Sequence, residues 1–258
     1  MKRTVVWFSC GATSAVSAWL AVKDMQFAKE ATFGEHGYEL DIVYCDTGGE
    51  HPSNAKFLTD VEEWIGQPIT ILKSEKYKDH FDVFEKRKYI AGISGAPCTL
   101  LLKKRLREEY QRADDIHIFG FSVEERKRAA LIAKNLPELS LRFNLIESGL
   151  SKADCLGLLV RMGIELPEMY KLGYDHNNCI GCPKGQQGYW NKIRVDFPDV
   201  FERMALLERS LDVAVCKTYA GDNKRKRLFL DELDPSAGRD MPTPSIECSL
   251  FCQMIAEE

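Results

Sequence analysis

The sequence lacks any apolar run long enough to span a membrane. Its first residues place Lys2-Arg3 before a short strand-like segment, and they lack the apolar core and cleavage site of a signal peptide. These absences predict a cytoplasmic protein without a membrane partner. In that reducing compartment, nine cysteines suit metal binding or catalysis better than a disulfide framework.

The sequence also lacks a strong charge of either sign, because its formal net charge is −4 over 258 residues. That balance argues against a broad basic surface for nucleic acid. A dense basic run, Lys224-Arg225-Lys226-Arg227, is interpreted as a solvated loop or helix face, with a local basic patch as the alternative. Hydrophobic residues make up 45% and charged residues 29%, as in soluble globular proteins.

Strand-like and helix-like segments alternate along the first part of the chain. This alternation predicts an α/β fold with a Rossmann-like, doubly wound and mainly parallel sheet. We expect an α/β domain over 1–165 and a cysteine-rich extension over 166–258. The predicted strands are 5–8, 39–45, 68–72, 116–121 and 141–146. The predicted helices are 15–31, 53–65, 100–111, 151–162, 189–194 and 199–209, with loops over 167–174 and 220–246. Ser53 is the expected N-cap of the 53–65 helix, and Ser151 with Asp154 is expected to form a near capping box at the start of the 151–162 helix.

The loop Ser9-Cys-Gly-Ala-Thr-Ser14 lies between the first predicted strand and helix. It lacks the Gly-Lys-Ser/Thr of a Walker A motif and the three spaced glycines of a dinucleotide fingerprint. Loop amides and a helix N-terminus nevertheless favour an anion, with hydroxyl donors from Ser9, Thr13 and Ser14 and close backbone approach at Gly11. The sequence predicts a phosphate site here, with an ordinary strand–turn–helix as the alternative.

Other loops should meet this one, because ligands of doubly wound sheets bind beyond the carboxyl ends of the strands. The segment that begins Asp46-Thr47-Gly48 follows the second predicted strand, and Asp46 either contacts a ribose or base or caps the next helix. Arg126 and Arg128 follow the 116–121 strand. Guanidinium groups bind phosphate or sulfate in bidentate fashion, so we favour anion binding over a solvated helix face.

Two close cysteine pairs predict a metal centre. Cys179 and Cys182 are separated by two residues in a Gly/Pro-rich knuckle, and Cys248 and Cys252 by three. A four-thiolate site suits Zn²⁺ or an iron–sulfur cluster. The alternative is a set of reduced cysteines used as small apolar residues, which is the interpretation we prefer for Cys45, Cys155 and Cys216.

Cys98 stands apart from these pairs, because it follows Gly95-Ala96-Pro97 and precedes a helix predicted to begin near Thr99. A helix N-terminus lowers the pKa of a thiol and makes it more reactive. The position therefore predicts either a cluster ligand or a redox-active thiol.

Together these motifs resemble the phosphoadenylyl-sulfate (PAPS) reductase family of the adenine nucleotide alpha-hydrolase superfamily, which also contains the PP-loop ATP pyrophosphatases. The resemblance covers most of the chain, and the chain is similar in its motifs to phage-type and bacterial members with a cysteine knuckle. It rests on the Ser9–Ser14 loop and on Tyr44-Cys-Asp-Thr-Gly-Gly-Glu-His-Pro52, Pro97-Cys-Thr99 with Lys103, Gly120-Phe121 with Glu125 and Arg126, and Asn178-Cys-Ile-Gly-Cys-Pro183.

The resemblance implies an adenine nucleotide as ligand: adenylyl sulfate, PAPS or ATP. It implies sulfur chemistry and, in the cluster-bearing members, a [4Fe-4S] cluster in regions that match Cys98 and Cys179/Cys182. The family's catalytic cysteine would be Cys248, in Glu247-Cys-Ser-Leu-Phe251. A thiol or a thioredoxin-like partner would complete the reduction.

This chain departs from the family pattern at several positions. Ser249 and Phe251 replace the glycine and histidine of the catalytic tail, and Cys252 makes a metal role for Cys248 plausible. Where the cluster enzymes carry a pair of adjacent cysteines, this chain has Cys98 alone. Thr13 stands where the PP-loop ATPases carry an aspartate. Three hypotheses follow: a PAPS reductase-like enzyme, an enzyme that adenylates nucleic acid for thiolation with Asp46 as the Mg²⁺ ligand, and a non-enzymatic nucleotide-binding zinc protein.

Overall fold

The computed structural model describes residues 2–31, 39–92, 95–219 and 225–239. The strands are β1 (Arg3–Phe8), β2 (Glu39–Asp46), β3 (Ile69–Lys73), β4 (Ile116–Phe119), β5 (Ser140–Arg142), β6 (Cys216–Tyr219) and β7 (Arg225–Leu228). The helices are α1 (Ala12–Ala31), α2 (Asn54–Ile65), α3 (His80–Arg87), α4 (Pro97–Thr99), α5 (Arg105–Tyr110), α6 (Arg126–Asn135), α7 (Asn144–Glu147), α8 (Lys152–Arg161), α9 (Glu168–Lys171), α10 (Gln187–Asp196) and α11 (Pro198–Leu211).

The central sheet has five parallel strands in the order β3-β2-β1-β4-β5, which confirms the predicted α/β class. The chain moves from β1 outward to β2 and β3, and then returns to the other side of β1 to form β4 and β5. The carboxyl end of β1 is therefore the switch point of the sheet, where ligands of such folds bind.

Strand β1 is buried on both faces, as expected for the central strand of a parallel sheet. Val6 and Phe8 face the core formed with α1, α2 and α8. Val5 and Trp7 point to the opposite face, where Tyr110 of α5 packs on them. Helices α1 and α5 therefore cover opposite faces of the sheet, and the β1–α1 loop lies between them at the sheet edge.

A second apolar cluster lies beyond the sheet and is rich in aromatic side chains. Trp190 and Tyr174 are its largest fully buried members. It draws residues from both sides of the boundary predicted at 165, including Phe84 and Leu102 on the amino-terminal side. The division into 1–165 and 166–258 stays a prediction.

Three local predictions were wrong. The strand predicted over 141–146 ends at Arg142, because Asn144 bonds the Ser17 hydroxyl (2.7 Å) and carbonyl (2.8 Å) and begins α7. The loop predicted over 167–174 contains α9. The Ser53 hydroxyl bonds His51 instead of capping α2, whereas Ser151 and Asp154 form the predicted capping box of α8.

Arg225, Lys226 and Arg227 of the basic run lie in strand β7, where a loop or helix face was predicted, and all three are exposed. Lys224 lies outside the described residues. Leu228 of β7 pairs with Cys216 of β6, and both pack on the second cluster. Arg227 pairs with Lys217, and both are exposed. Among the described residues, no helix is both long and apolar enough to cross a membrane.

Candidate nucleotide and thiol site

The β1–α1 loop is closed by the hydroxyl of Ser14. That oxygen accepts the amides of Ser9 at 3.0 Å and Gly11 at 3.2 Å, and it donates to the Gly11 carbonyl at 2.8 Å. Cys10 takes a left-handed backbone conformation, with φ of 57°, and its thiol is buried at 3.5 Å from the Asn54 carbonyl. Burial raises the pKa of the Cys10 thiol far above its ordinary value. Ser14 and Cys10 therefore shape the loop.

Two side chains from later in the chain hold the loop from outside. The Tyr170 hydroxyl accepts the Ala12 amide at 3.3 Å, and a Cβ placed on Gly11 would lie 3.1 Å from that hydroxyl. The Asn177 amide donates to the Cys10 carbonyl at 2.5 Å and to the Asn54 side chain at 2.8 Å. Burial raises the pKa of Tyr170 to about 12, so its hydroxyl stays protonated. The loop is fixed on both of its sides.

Gly120, at the end of β4, touches the first turn of α1. A Cβ at this position would lie 2.9 Å from Ser14 Cα and 3.0 Å from the Thr13 carbonyl oxygen. Both contacts are with backbone, which has no free rotamer to move away. Glycine is therefore what allows β4 to approach the helix N-terminus.

A cavity of about 720 Å³ opens at this carboxyl edge of the sheet. The predicted residues Ser9, Gly11, Thr13, Ser14 and Arg128 line it. Its wall also carries cationic and aromatic groups beyond the predicted site residues, namely Lys103, Lys104, Arg107, Lys152, Trp7, Phe119, Phe121 and Tyr170. The volume and the polar–aromatic lining are of the kind that holds a nucleotide-sized ligand.

The remaining predicted nucleotide residues are not in the cavity wall. Asp46 accepts the Gly48 amide at 2.8 Å and pairs with Lys73 at 2.9 Å, so it neither caps α2 nor lines the cavity. Gly48 has φ of 65° and packs on the Lys78 carbonyl. Arg126 is exposed at the start of α6. These residues shape the loops around the cavity.

Arg128 lines the cavity as predicted, although its guanidinium already has partners. It pairs with Glu125 at 2.6 Å and lies 4.6 Å from the centre of the Phe121 ring. Lys152 is paired in the same way with Asp175, the only aspartate among the cavity-lining residues.

Glu50 is the buried carboxylate between the loop region and the cysteines. It accepts hydrogen bonds from Tyr44 at 2.6 Å and Asn54 at 3.0 Å, and its Oε1 lies 3.4 Å from Lys103 Nζ. Burial acts to lower the pKa of Lys103, but the charge of Glu50 outweighs it and the pKa is raised. Lys103 therefore stays cationic beside Cys179.

The knuckle around Cys179 and Cys182 is clamped by one tyrosine. The Tyr189 hydroxyl accepts the Cys182 amide at 2.9 Å and donates to the Cys179 carbonyl at 3.2 Å. Gly181 provides the left-handed turn between the two cysteines, with φ of 76°. The knuckle is joined to the β2–α2 loop, because Ile180 N donates to the Gly49 carbonyl at 2.9 Å.

Cys98 and Cys179 each lie within electrostatic range of Cys182 in the knuckle. Burial raises the pKa of Cys179 to about 12, and its Sγ lies 3.0 Å from the Thr47 hydroxyl. Burial raises the pKa of Cys98 to about 11, and the neighbouring Cys182 adds to the rise. The lowered Cys98 pKa expected from the helix N-terminus was wrong, because burial outweighs the Thr99 amide and α4 has only three residues.

The donors at this position are of the type that Zn²⁺ and iron–sulfur clusters take, since all three are thiols. A buried thiol with a raised pKa becomes a good thiolate ligand once a cation offsets the burial cost. Within the ranges the structure describes, no group of three or more Cys, His, Asp or Glu side chains is close enough to hold a metal ion. Cys248 and Cys252, the other predicted ligands, lie outside those ranges.

No family model matches the chain. It is 28% identical over 217 residues to an uncharacterized protein of Methanocaldococcus jannaschii, with 78% of this chain and 40% of that protein aligned. It is 26% identical over 208 residues to an uncharacterized nin region protein of Escherichia phage lambda, with 70% and 65% aligned. The chain therefore spans less than two thirds of the length of these curated relatives.

Two solved structures are similar to the chain. A PAPS reductase from Candida auris, solved as a phosphate complex, aligns with a TM-score of 0.46 and 14% identity, covering 69% of this chain and 82% of the reductase. The U34-tRNA thiolase NcsA from Methanococcus maripaludis, solved with its [4Fe-4S] cluster, aligns with a TM-score of 0.38 and 16% identity, covering 82% and 73%. The first of these two proteins bears the name of the family that the motifs resemble.

Proposed function

We propose that the protein is a PP-loop-type enzyme that binds an adenine nucleotide in the cavity and acts on its sulfur. The observation that carries this proposal is the direct link between the anion-binding loop and the cysteine knuckle. Asn177 bonds the loop through the Cys10 carbonyl, and Ile180 bonds the Gly49 carbonyl. A nucleotide held at the N-terminus of α1 would therefore lie beside a group of thiols.

The reaction that fits this arrangement is reduction of an adenylyl sulfate or PAPS. The thiolate of Cys248 attacks the sulfonate sulfur, the sulfur–oxygen bond to the nucleotide phosphate breaks, and the nucleotide leaves with that oxygen. The resulting cysteine thiosulfonate takes two electrons from a dithiol, supplied by a thioredoxin-like partner. Sulfite is released, the partner becomes a disulfide, and Cys248 returns to a thiol.

The metal centre is proposed at the knuckle, with Cys98, Cys179 and Cys182 as ligands and Cys248 or Cys252 completing the set. A [4Fe-4S] cluster fits these donors, and Zn²⁺ is the alternative. When bound, a cluster would supply electron-transfer capacity beside the nucleotide. Lys103 already places a fixed cation next to Cys179, and this lowers the cost of holding that sulfur as a thiolate.

A second candidate is adenylation of a nucleic acid by ATP, followed by sulfur transfer. Asp175 favours it, because this carboxylate lines the cavity whereas Asp46 does not. That chemistry requires a carboxylate that binds Mg²⁺. The loop lacks this carboxylate, because Thr13 stands where the PP-loop ATPases carry an aspartate. In this reaction Asp175 would have to exchange its Lys152 partner for the metal.

Titration calorimetry of the anaerobically purified protein tests the proposal directly. Adenylyl sulfate, PAPS and ATP with and without Mg²⁺ are titrated separately, and sulfite and pyrophosphate release are measured together with bound iron, sulfide and zinc. Binding of a sulfonucleotide with sulfite release supports the reductase, and pyrophosphate release with Mg²⁺-dependent ATP binding supports adenylation. Nucleotide binding with bound zinc and no turnover would leave the non-enzymatic hypothesis, and no nucleotide binding at all would contradict the proposal.

A further inference from the structure

We propose that Arg107 forms a second anion-binding position in the cavity, on the opposite face of the sheet from the β1–α1 loop. This inference deepens the proposed function, because it makes the ligand a nucleotide with two separate anionic groups. The loop would take one group and Arg107 the other. Three features of Arg107 support this role: its contacts with two aromatic rings, the lack of a hydrogen-bond partner at its Nε, and its place in the cavity wall.

Two aromatic rings hold the guanidinium in place. Its central carbon lies 5.6 Å from the centre of the Trp7 ring and 5.2 Å from the centre of the Phe119 ring. Trp7 is itself fixed, since its indole N–H donates to His117 Nδ1 at 3.2 Å and the two rings stack. A guanidinium clamped in this way loses little freedom on binding, which favours a planar, bidentate contact with an oxyanion.

The clamp leaves the charge of Arg107 without a counter-ion. Its Nε is buried and has no hydrogen-bond partner, and no carboxylate in the described ranges forms an ion pair with it. The other cations of the cavity differ, because Lys103 pairs with Glu50, Lys104 with Glu108 and Lys152 with Asp175. A buried donor without a partner carries a free-energy cost that an anionic ligand would remove.

A π-helical turn, Leu100–Lys104, precedes α5 directly. Such turns are rare and are often found at functional sites. Here the turn and the first residues of α5 bring Lys103, Lys104 and Arg107 to one wall of the cavity.

The location separates this position from the loop. Arg107 lies on α5, which covers the Val5/Trp7 face of the sheet, whereas the loop leads into α1 on the Val6/Phe8 face. Both line the same cavity at the carboxyl edge. The ligand that satisfies both walls must therefore straddle that edge and carry a phosphate or sulfonate group at each end.

Calorimetry with matched ligands and variants tests this assignment. Adenosine 5′-monophosphate carries one phosphate, adenosine 3′,5′-bisphosphate carries two separate ones, and inorganic pyrophosphate tests anion binding without a nucleoside. Arg107→Gln removes the charge and Arg107→Lys keeps it without the planar fork. Arg105→Gln is the control, since it removes a charge from the same helix outside the cavity wall. Circular dichroism and thermal melting show whether each variant is folded.

We expect Arg107→Gln to weaken bisphosphate binding at least tenfold and monophosphate binding less than twofold, with Arg107→Lys intermediate and Arg105→Gln unchanged. Equal losses for both nucleotides, or no loss for either, would overturn the inference while leaving the proposed function intact. If the unmodified protein binds pyrophosphate but no nucleotide, and Arg107→Gln abolishes that binding, the anion position stands and the proposed function fails. Binding of none of the three probes by the unmodified protein would overturn both.

Discussion

The β1–α1 loop and the cysteine knuckle lie side by side, but the structure fixes them in different ways. The loop needs nothing beyond the residues already around it, because Ser14 closes it and Tyr170 and Asn177 hold it in shape. The knuckle has its backbone fixed by Tyr189, yet the thiol of the half-buried Cys179 stays protonated. The loop is therefore held in one shape by its neighbours, whereas at the knuckle only the backbone is held.

This difference predicts that a nucleotide at the loop and a metal at the knuckle would stabilise the protein in different ways. A preorganised loop gains affinity because little ordering is left to be done on binding. A set of buried thiols gains stability only when a cation converts them to thiolates, so metal binding there is coupled to proton release. Variants of the two regions should therefore separate nucleotide affinity from metal content.

The largest effect is expected from Gly120→Ala, which drives a Cβ into the backbone of Thr13 and Ser14. Overpacking of this kind costs about 1–3 kcal/mol, and here it displaces the turn that we propose binds the anion. Nucleotide affinity should fall at least tenfold in calorimetry. Gly66→Ala is the control, because it strains a left-handed residue with nothing within 4 Å and lies far from the loop in sequence. An unchanged nucleotide affinity for Gly120→Ala would contradict the close-approach argument.

Glu50→Gln should have the next largest effect, because Glu50 joins the two regions. The substitution removes the charge that holds Lys103, and we expect a loss of about 1–3 kcal/mol in the free energy of unfolding. The expected loss is at the modest end for a buried ion pair, because the Lys103 side chain is partly exposed and water screens its charge. Chemical denaturation measures the loss, and a double variant with Lys103→Met should recover part of it. A double variant that shows simply additive losses would mean that the pair is not coupled.

A pair of conservative variants sharpens the comparison itself. Tyr170→Phe leaves the Ala12 amide without its acceptor, and Tyr189→Phe does the same to the Cys182 amide. Each should cost about 1 kcal/mol. Tyr170→Phe should lower nucleotide affinity and leave metal content unchanged, while Tyr189→Phe should do the reverse. The same loss of both properties in both variants would show that the two regions behave as one unit.

The smallest effect on either region is expected from Glu208, which lies in the second cluster. Its buried carboxyl accepts the amides of Val215 at 2.6 Å and Leu230 at 2.7 Å, and burial raises its pKa from 4.5 to about 7. The folded state therefore holds a proton that the unfolded state releases, so stability should fall as pH rises through this interval and level off above it. Denaturation at several pH values measures the slope, which Glu208→Gln should flatten without changing nucleotide affinity.

Much of the fold could be predicted because its signals are local. The strands β1 and β2 and helix α2 follow from apolar runs and their spacing, and the α8 capping box follows from Ser151 and Asp154. The strand predicted over 141–146 failed where a long-range contact decided the backbone, since Asn144 is held by Ser17 on α1. Local pattern cannot show a partner that is more than a hundred residues away.

The candidate site shows the same limit more sharply. The loop and knuckle were identified from sequence, but Arg107 and Glu50 gain their significance from burial and from the groups around them. Tyr170 stood in a segment predicted as loop, and no spacing rule connects it with Ala12. The Cys98 pKa was expected to fall because its helix position is visible in the sequence, whereas the burial that raises it is not.

The clamp on the loop has a consequence for how the protein is made. The parallel sheet is complete once β5 ends at Arg142, but the residues that close the loop from outside, Tyr170 and Asn177, are synthesised later. A nascent chain on the ribosome can therefore assemble the sheet before the loop is fixed from outside. If the cavity binds a nucleotide as proposed, binding reports only on chains that have been made at least as far as the knuckle.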